Sequence, residues 1–196
     1  MLFEFISYSL SGFFMKLSDE FMDEKNNLLL AVVTGLLCVV FTLLVCRISS
    51  EAACIFLSIL IGTALASKVD SINHILSAIL FVGLLFLVGF PAFSWYALLL
   101  CTIAAFIDEK GNDKSDEMES LGSSSDRGFL YKFFKYRYAL KITVFVLSLM
   151  GLFKMLFGGF LVNVYCFSPL TIIYFYGFDL SYELVSLIFD RIYDFF

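Results

Sequence analysis

Seven apolar stretches run along this 196-residue chain, at residues 2–17, 28–46, 52–67, 75–90, 92–107, 138–157 and 159–178. A soluble fold of this length cannot hide them: 61% of the residues are hydrophobic, against roughly 45–50% in soluble domains. The second stretch, LLLAVVTGLLCVVFTLLVC, is continuous, not alternating. It predicts a helix in a bilayer and argues against the alternating strands of a β-barrel. With 25 Phe and only 2 Pro, such runs suit unbroken helices facing lipid. The expected fold is therefore all-α: a polytopic integral membrane bundle of six or seven transmembrane helices, one domain over residues 1–196. Several stretches fall short of the ~20 residues an upright span needs, which local bilayer thinning can absorb. The first stretch either spans or lies at the interface. It carries Glu4, with no basic flank and no A-x-A site, and is expected to be retained.

Alternating sides along the chain places residues 16–27, 68–74 and 108–141 together. That face collects ten of the 13 basic residues: Lys16, Lys25, Lys68, Lys110, Lys114, Arg127, Lys132, Lys135, Arg137 and Lys141. The positive-inside rule makes it cytoplasmic, with the N-terminus outside and the C-terminus inside. The expected location is the cell membrane. Residues 108–129, acidic and then Gly/Ser-rich, predict a flexible cytoplasmic loop. FLYKFFKYRY follows, alternating aromatic and basic side chains as an interfacial segment does. Residues 179–196 predict an amphipathic C-terminal helix end, with acids Asp179, Glu183, Asp190 and Asp194 along one stripe. Its helix begins either at Pro169, after a Ser168 cap, or as a surface helix after a span ending near Phe178. On the third stretch Ser58, Gly62 and Ala66 recur every four residues, a spacing that admits a close neighbour. The five cysteines lie in or beside apolar runs without C-x-x-C spacing and read as packing residues.

Positive-inside bias gathers bases; it does not explain why Asp19, Glu20, Asp23, Glu24, Asp70, Asp108 and Glu109 sit on the same face. Four clusters carry this pattern. In KLSDEFMDEKNN, Asp19 and Asp23 are four apart and share a helix face, where a hard cation such as Mg²⁺ relieves their repulsion. In SKVDSINHI, Asp70 and the sole histidine, His74, are also four apart and fit a base or ion-ligand pair, with Lys68 available to phosphate. Asp108 ends an apolar run and is the third metal-ligand candidate. In KFFKYRYALK, Arg137 is the candidate phosphate clamp, since a guanidinium grips oxyanions in a fork. Asp179 and Glu183 complete the expected polar pocket. Each feature alone reads equally as a solvated helix end or an ordinary interfacial anchor.

The run Asp19-Glu20-x-x-Asp23 resembles the acidic N-D-x-x-D motif of the UbiA-type intramembrane prenyltransferases. The likeness covers about five residues. The family has more helices, a matching second motif and a third Asp; here Asn27 stands at the third-Asp position and Lys68–Asp70 is a poor second motif. The resemblance implies that Asp19, Asp23 and Asp70 hold metal and Arg137 grips phosphate. The expected function is a membrane-embedded enzyme with a cytoplasm-facing acidic pocket, binding Mg²⁺ and acting on a phosphorylated or diphosphate lipid. The alternative is a small transporter or a non-catalytic subunit of a membrane complex, with Asp179 and Glu183 as coupling sites. Walker A, H-E-x-x-H, zinc and nucleophile-elbow patterns are absent, and a nucleic-acid role is not expected.

Overall fold

Asn27 opens the second helix: its side-chain oxygen accepts from the Leu30 amide at 3.2 Å, the usual satisfaction of an orphan donor at a helix start. Asn26 just before it has a φ of 47°, a left-handed turn that Asn tolerates. In the computed structural model, residues 1–89, 91–120, 128–158 and 164–194 are described. Among them the regular structure is helical: α1 (Leu2–Asp23), α2 (Leu28–Ile48), α3 (Ser50–Leu65), α4 (Ile72–Val88), α5 (Trp95–Ser120), α6 (Phe129–Lys135), α7 (Tyr138–Phe157) and α8 (Thr171–Tyr193). Three of these, α2, α7 and α8, are long and apolar enough to cross a membrane. The helices α3 and α4 are apolar but shorter, at 16 and 17 residues, reaching ~25 Å at 1.5 Å per residue.

The chain groups into two compact units. The first takes residues 1–53, 70–92 and 170–196, and so holds α1, α2, α4 and α8. Here α1 and α8 run parallel: Tyr8 meets Tyr174, Gly12 meets Phe178, and Phe21 meets Phe189. Gly12 sits against the Phe178 backbone, so closely that a Cβ there would collide with the carbonyl. Helix α2 runs antiparallel to α1, pairing Ser11 with Thr42 and Ser18 with Ala31. At one end Leu17, Phe21, Ala31, Val185 and Phe189 form a buried apolar cluster. An open groove of about 460 Å³ beside α8, lined by Phe5, Ile172, Ile173, Tyr176, Gly177 and Leu180, offers apolar surface only.

The second unit takes residues 54–69 and 93–169, with most of α3 and all of α5, α6 and α7. The small-residue stripe does pack: a Cβ on Gly62 would stand 2.6 Å from the Ala105 Cβ, and Ser58 and Ala66 are buried. Helix α3 closes on Ser67, at φ 64°, with Lys68 N–H donating to Thr63 O and Ser67 N–H to Ala64 O, the paired bonds of a Schellman turn.

Two expectations change. Residues 108–120 are not a loop, because α5 continues through them to Ser120. The stretch is polar yet helix-competent: Lys110 pairs with Asp113 and Asn112 with Asp116 along its face, and Gly111 makes room for the Phe134 ring. Residues 121–127 lie outside the described set. The last helix starts at Thr171, not at 159; residues 164–170 are non-helical, so Asp179 and Glu183 stand inside one continuous helix. This matches the reading that begins near Ser168–Pro169, displaced by two residues. Gly158, at φ 59°, ends α7, while Gly159 lies outside the described residues.

Adding one methyl at Gly12 should cost about 1–3 kcal/mol through the forced separation of α1 and α8. Gly83, with open space around its α carbon, is the matched control. Thermal unfolding in detergent should show a clear drop for Gly12→Ala and none, or a slight gain, for Gly83→Ala.

Candidate functional site

Helix α1 outlasts its apolar stretch by six residues, since residues 18–23 remain helical. That extension carries Asp19, Glu20 and Asp23 out on the first unit's polar end, as the i, i+4 spacing requires. Asp19 is the centre of the arrangement. Its Oδ1 lies 2.7 Å from His74 Nε2, and its Oδ2 accepts from the Tyr182 hydroxyl at 3.2 Å. Three helices therefore meet on one carboxylate: α1, the first turn of α4, and α8. Asp19 is mostly buried and His74 about a third exposed, so the pair is reachable by solvent yet shielded from full screening. Lys16 bonds Glu20 at 3.0 Å and stands 5.4 Å over the Tyr182 ring. Partial burial, and then the Asp19 charge four residues away, hold the Asp23 carboxyl above its ordinary value.

Beside this pair, Asn73 is fully buried and donates to Ser18 Oγ at 2.9 Å. Ser18 spends its single hydrogen on Ala31 O at 2.8 Å, so it must accept from Asn73. The amide is thereby oriented, and Asn73 Oδ1 is left without a donor. Further along α1, Ser11 bonds Thr42 at 2.6 Å and approaches Cys38 at 3.8 Å. Ser7, Ser11 and Ser18 are all buried, opposite Thr34, Cys38 and Thr42 spaced every four residues on α2. A polar seam thus runs between α1 and α2 and ends near Asp19.

In the second unit Asp108 is nearly sealed and accepts the Ala139 and Leu140 amides, at 2.9 and 2.7 Å, one on each oxygen. These amides are orphan donors at the α7 N-terminus, which a carboxylate also favours through the helix dipole. Arg137 precedes them in a left-handed turn at φ 50°, and its guanidinium faces Glu109 at 3.5 Å. Burial outweighs those stabilising contacts and pushes the Asp108 carboxyl up to about 6. Lys68 pairs with Asp113, and Lys110 donates to Ala66 O at 3.0 Å.

The expected site residues fall in both units. Asp19, Asp23, Asp70, His74, Asp179 and Glu183 belong to the first unit; Lys68, Asp108 and Arg137 belong to the second. Asp70 is exposed and precedes α4, so the helical Asp70–His74 pairing does not form; His74 meets Asp19 instead. Asp108 is engaged as a helix cap, Arg137 with Glu109 and Lys68 with Asp113. Asp179 and Glu183 are half-buried on α8, on either side of Tyr182. Among the described residues no three His, Cys, Asp or Glu side chains stand together as metal ligands. Sequence reasoning missed Tyr182, and the Ser11–Thr42 seam, whose signal is the four-residue recurrence of small polar side chains inside apolar runs. Compared with known protein families, curated proteins and solved structures, the chain matches none.

A raised carboxyl value means the folded state holds the Asp108 proton more tightly than the unfolded chain. The resulting stabilisation is present near pH 4 and declines as pH rises through about 6. The difference in unfolding free energy between wild type and Asp108→Asn should change across that window and level off above pH 7. Asp108→Ala, which strips both amides of their acceptor, should cost about 1–2 kcal/mol near pH 4 and less above pH 7, read from chemical denaturation in detergent.

Proposed function

We propose that the protein is a small proton-coupled membrane transporter whose working group is the Asp19–His74 pair. The carrying observation is the 2.7 Å contact between Oδ1 and Nε2, with Tyr182 holding the second oxygen. An imidazole is the side chain that changes charge near neutral pH, and a carboxylate bonded to it takes part in every exchange. With His74 protonated, the pair is a salt bridge; losing that proton leaves Asp19 facing a neutral imidazole and the Tyr182 hydroxyl. The two states differ in how strongly α1 holds α4, which is the two-state element a coupled transporter needs.

The seam supports this reading over a purely structural one. From Ser7 to Asp19 it covers ~18 Å of helix, more than half of a ~30 Å hydrocarbon core. Side-chain hydroxyls can pass protons as donor and acceptor in turn. The coupling role expected for Asp179 and Glu183 passes to Asp19, while α8 contributes through Tyr182. The wider topology we propose has α1, α3, α4 and α5 crossing the cell membrane alongside α2, α7 and α8. The N-terminus is outside, and the acidic end of α1 faces the cytoplasm.

The enzyme reading keeps Asp19 and Asp23 as the carboxylates for Mg²⁺ and a lipid diphosphate. Its support is their shared helix face and the raised Asp23 carboxyl; the phosphate-binding residues, Lys68 and Arg137, lie in the other unit. One set of preparations separates the readings. Proteoliposomes holding a pH-sensitive dye, under a valinomycin-imposed potential, should take up protons faster than empty vesicles. Asp19→Asn should lower the rate at least ~10-fold, and His74→Gln should shift its pH dependence. Flux equal to empty vesicles, or indifferent to both substitutions, refutes transport. A thermal shift that requires Mg²⁺ and a lipid diphosphate together, and is lost in Asp23→Asn, establishes the enzyme reading instead.

A further inference from the structure

Two side-chain pairs join α1 to α4, at consecutive residues on both helices. Asn73 Nδ2 donates to Ser18 Oγ at 2.9 Å, and one residue on, His74 Nε2 meets Asp19 Oδ1 at 2.7 Å. Consecutive side chains stand about 100° apart around a helix axis. One bond would leave each helix free to turn about it; two bonds in different directions fix separation and rotation together. The remaining packing does not aim His74 at Asp19, because α4 leans chiefly on α2.

The two pairs differ in kind. Asn73 is 0% exposed and Ser18 3%, whereas the His74 side chain is 36% exposed. The buried pair contains no titrating group. Its direction is set from a third helix: the Ser18 hydroxyl gives its hydrogen to Ala31 O on α2, so the Asn73 amide is the donor. One turn further along α2, Gly35 makes room; a Cβ there would stand 2.6 Å from Ser77 Oγ and 3.2 Å from Ser18 Oγ. Other charges about His74 and Asp19 are Asp23, Glu20 and Lys16 on α1, Asp179 and Glu183 flanking Tyr182 on α8, and exposed Asp70 ahead of α4. The one charge on α2, Arg47, lies at its far end. We infer that Asn73 and Ser18 are positioning residues for the Asp19–His74 pair, a charge-independent pin that keeps the imidazole aimed at the carboxylate. When the proton leaves His74 the salt bridge is lost, but the pin still holds α4 beside α1, so the returning proton meets the same two partners. The inference rests on Asp19 and His74 as the exchanging unit of the proposed function, and adds the device that keeps them in register.

His74 is the sole histidine, so one imidazole resonance follows its protonation in the full chain in detergent. In the parent, Asp19→Asn should move the His74 midpoint to lower pH, as loss of a neighbouring anion does. In Asn73→Ala that displacement should fall to about half or less, and likewise in Ser18→Ala. Ser18→Thr, which keeps the hydroxyl, should retain the parental displacement. Ser11→Ala removes a buried bond of the same kind, to Thr42, away from the pair, and should leave the displacement at its parental size. Circular dichroism checks that each variant is helical, and either of Asn73→Ala and Ser18→Ala serves where the other does not fold. A displacement undiminished in the folded variants overturns the inference. So does one that Ser11→Ala diminishes equally, or a parent in which Asp19→Asn leaves the midpoint in place. The expected pattern in a protein whose proteoliposomes carry no proton flux supports the pin and refutes transport alone.

Discussion

A carboxylate in a helix bundle bordered by lipid has to be met by donors the protein itself supplies, because the surroundings offer none. Both units are organised by that demand. In the first, Asp19 draws an imidazole from α4 and a phenol from α8 onto one helix end. In the second, Asp108 is met by two backbone amides that the α7 start leaves unpaired. The chemistry of the two acids diverges for that reason. Side chains from two other helices hold Asp19; fixed amides make Asp108 a cap.

Small side chains are the counterpart to this polar demand. Gly12 against Phe178 and Gly62 against Ala105 each remove the bulk that would keep helices apart, and Gly151 admits the non-helical Phe167 backbone against α7. Close approach brings hydroxyls within reach, as with Ser11 and Thr42 at 2.6 Å. The polar seam is therefore inseparable from the small-residue packing around it. Dispersion between closely apposed helices holds them, since burying apolar surface gains little when the solvent is lipid.

Much of the helical framework was legible in the chain, because an unbroken apolar run has only one economical backbone in a bilayer. The run at residues 28–46 became α2 almost unchanged, and the Ser58–Gly62–Ala66 stripe found its neighbour. Polar helix was the blind spot. Residues 108–120, interrupted by Gly111, carry no periodic apolar signal; the Phe134 ring over that glycine and the Lys110–Asp113 and Asn112–Asp116 pairs account for their order. For the site, composition placed acids and bases on a common face but could not choose partners. His74 and Asp19 are 55 residues apart, and Tyr182 lies 163 residues beyond Asp19. Only packing decides such pairs, and it also assigned Asp108 and Arg137 to joints within the second unit.

The adjacency of α1 and α8 has a consequence for biogenesis. The first unit is assembled from three separate segments, residues 1–53, 70–92 and 170–196. While a ribosome is still threading the intervening residues into the bilayer, Phe21 lacks its ring partner Phe189 and Gly12 faces an unfilled gap. The nascent α1 must therefore be sheltered by other helices or by lipid until α8 has been made. A chain lacking α8 would leave that surface open to degradation.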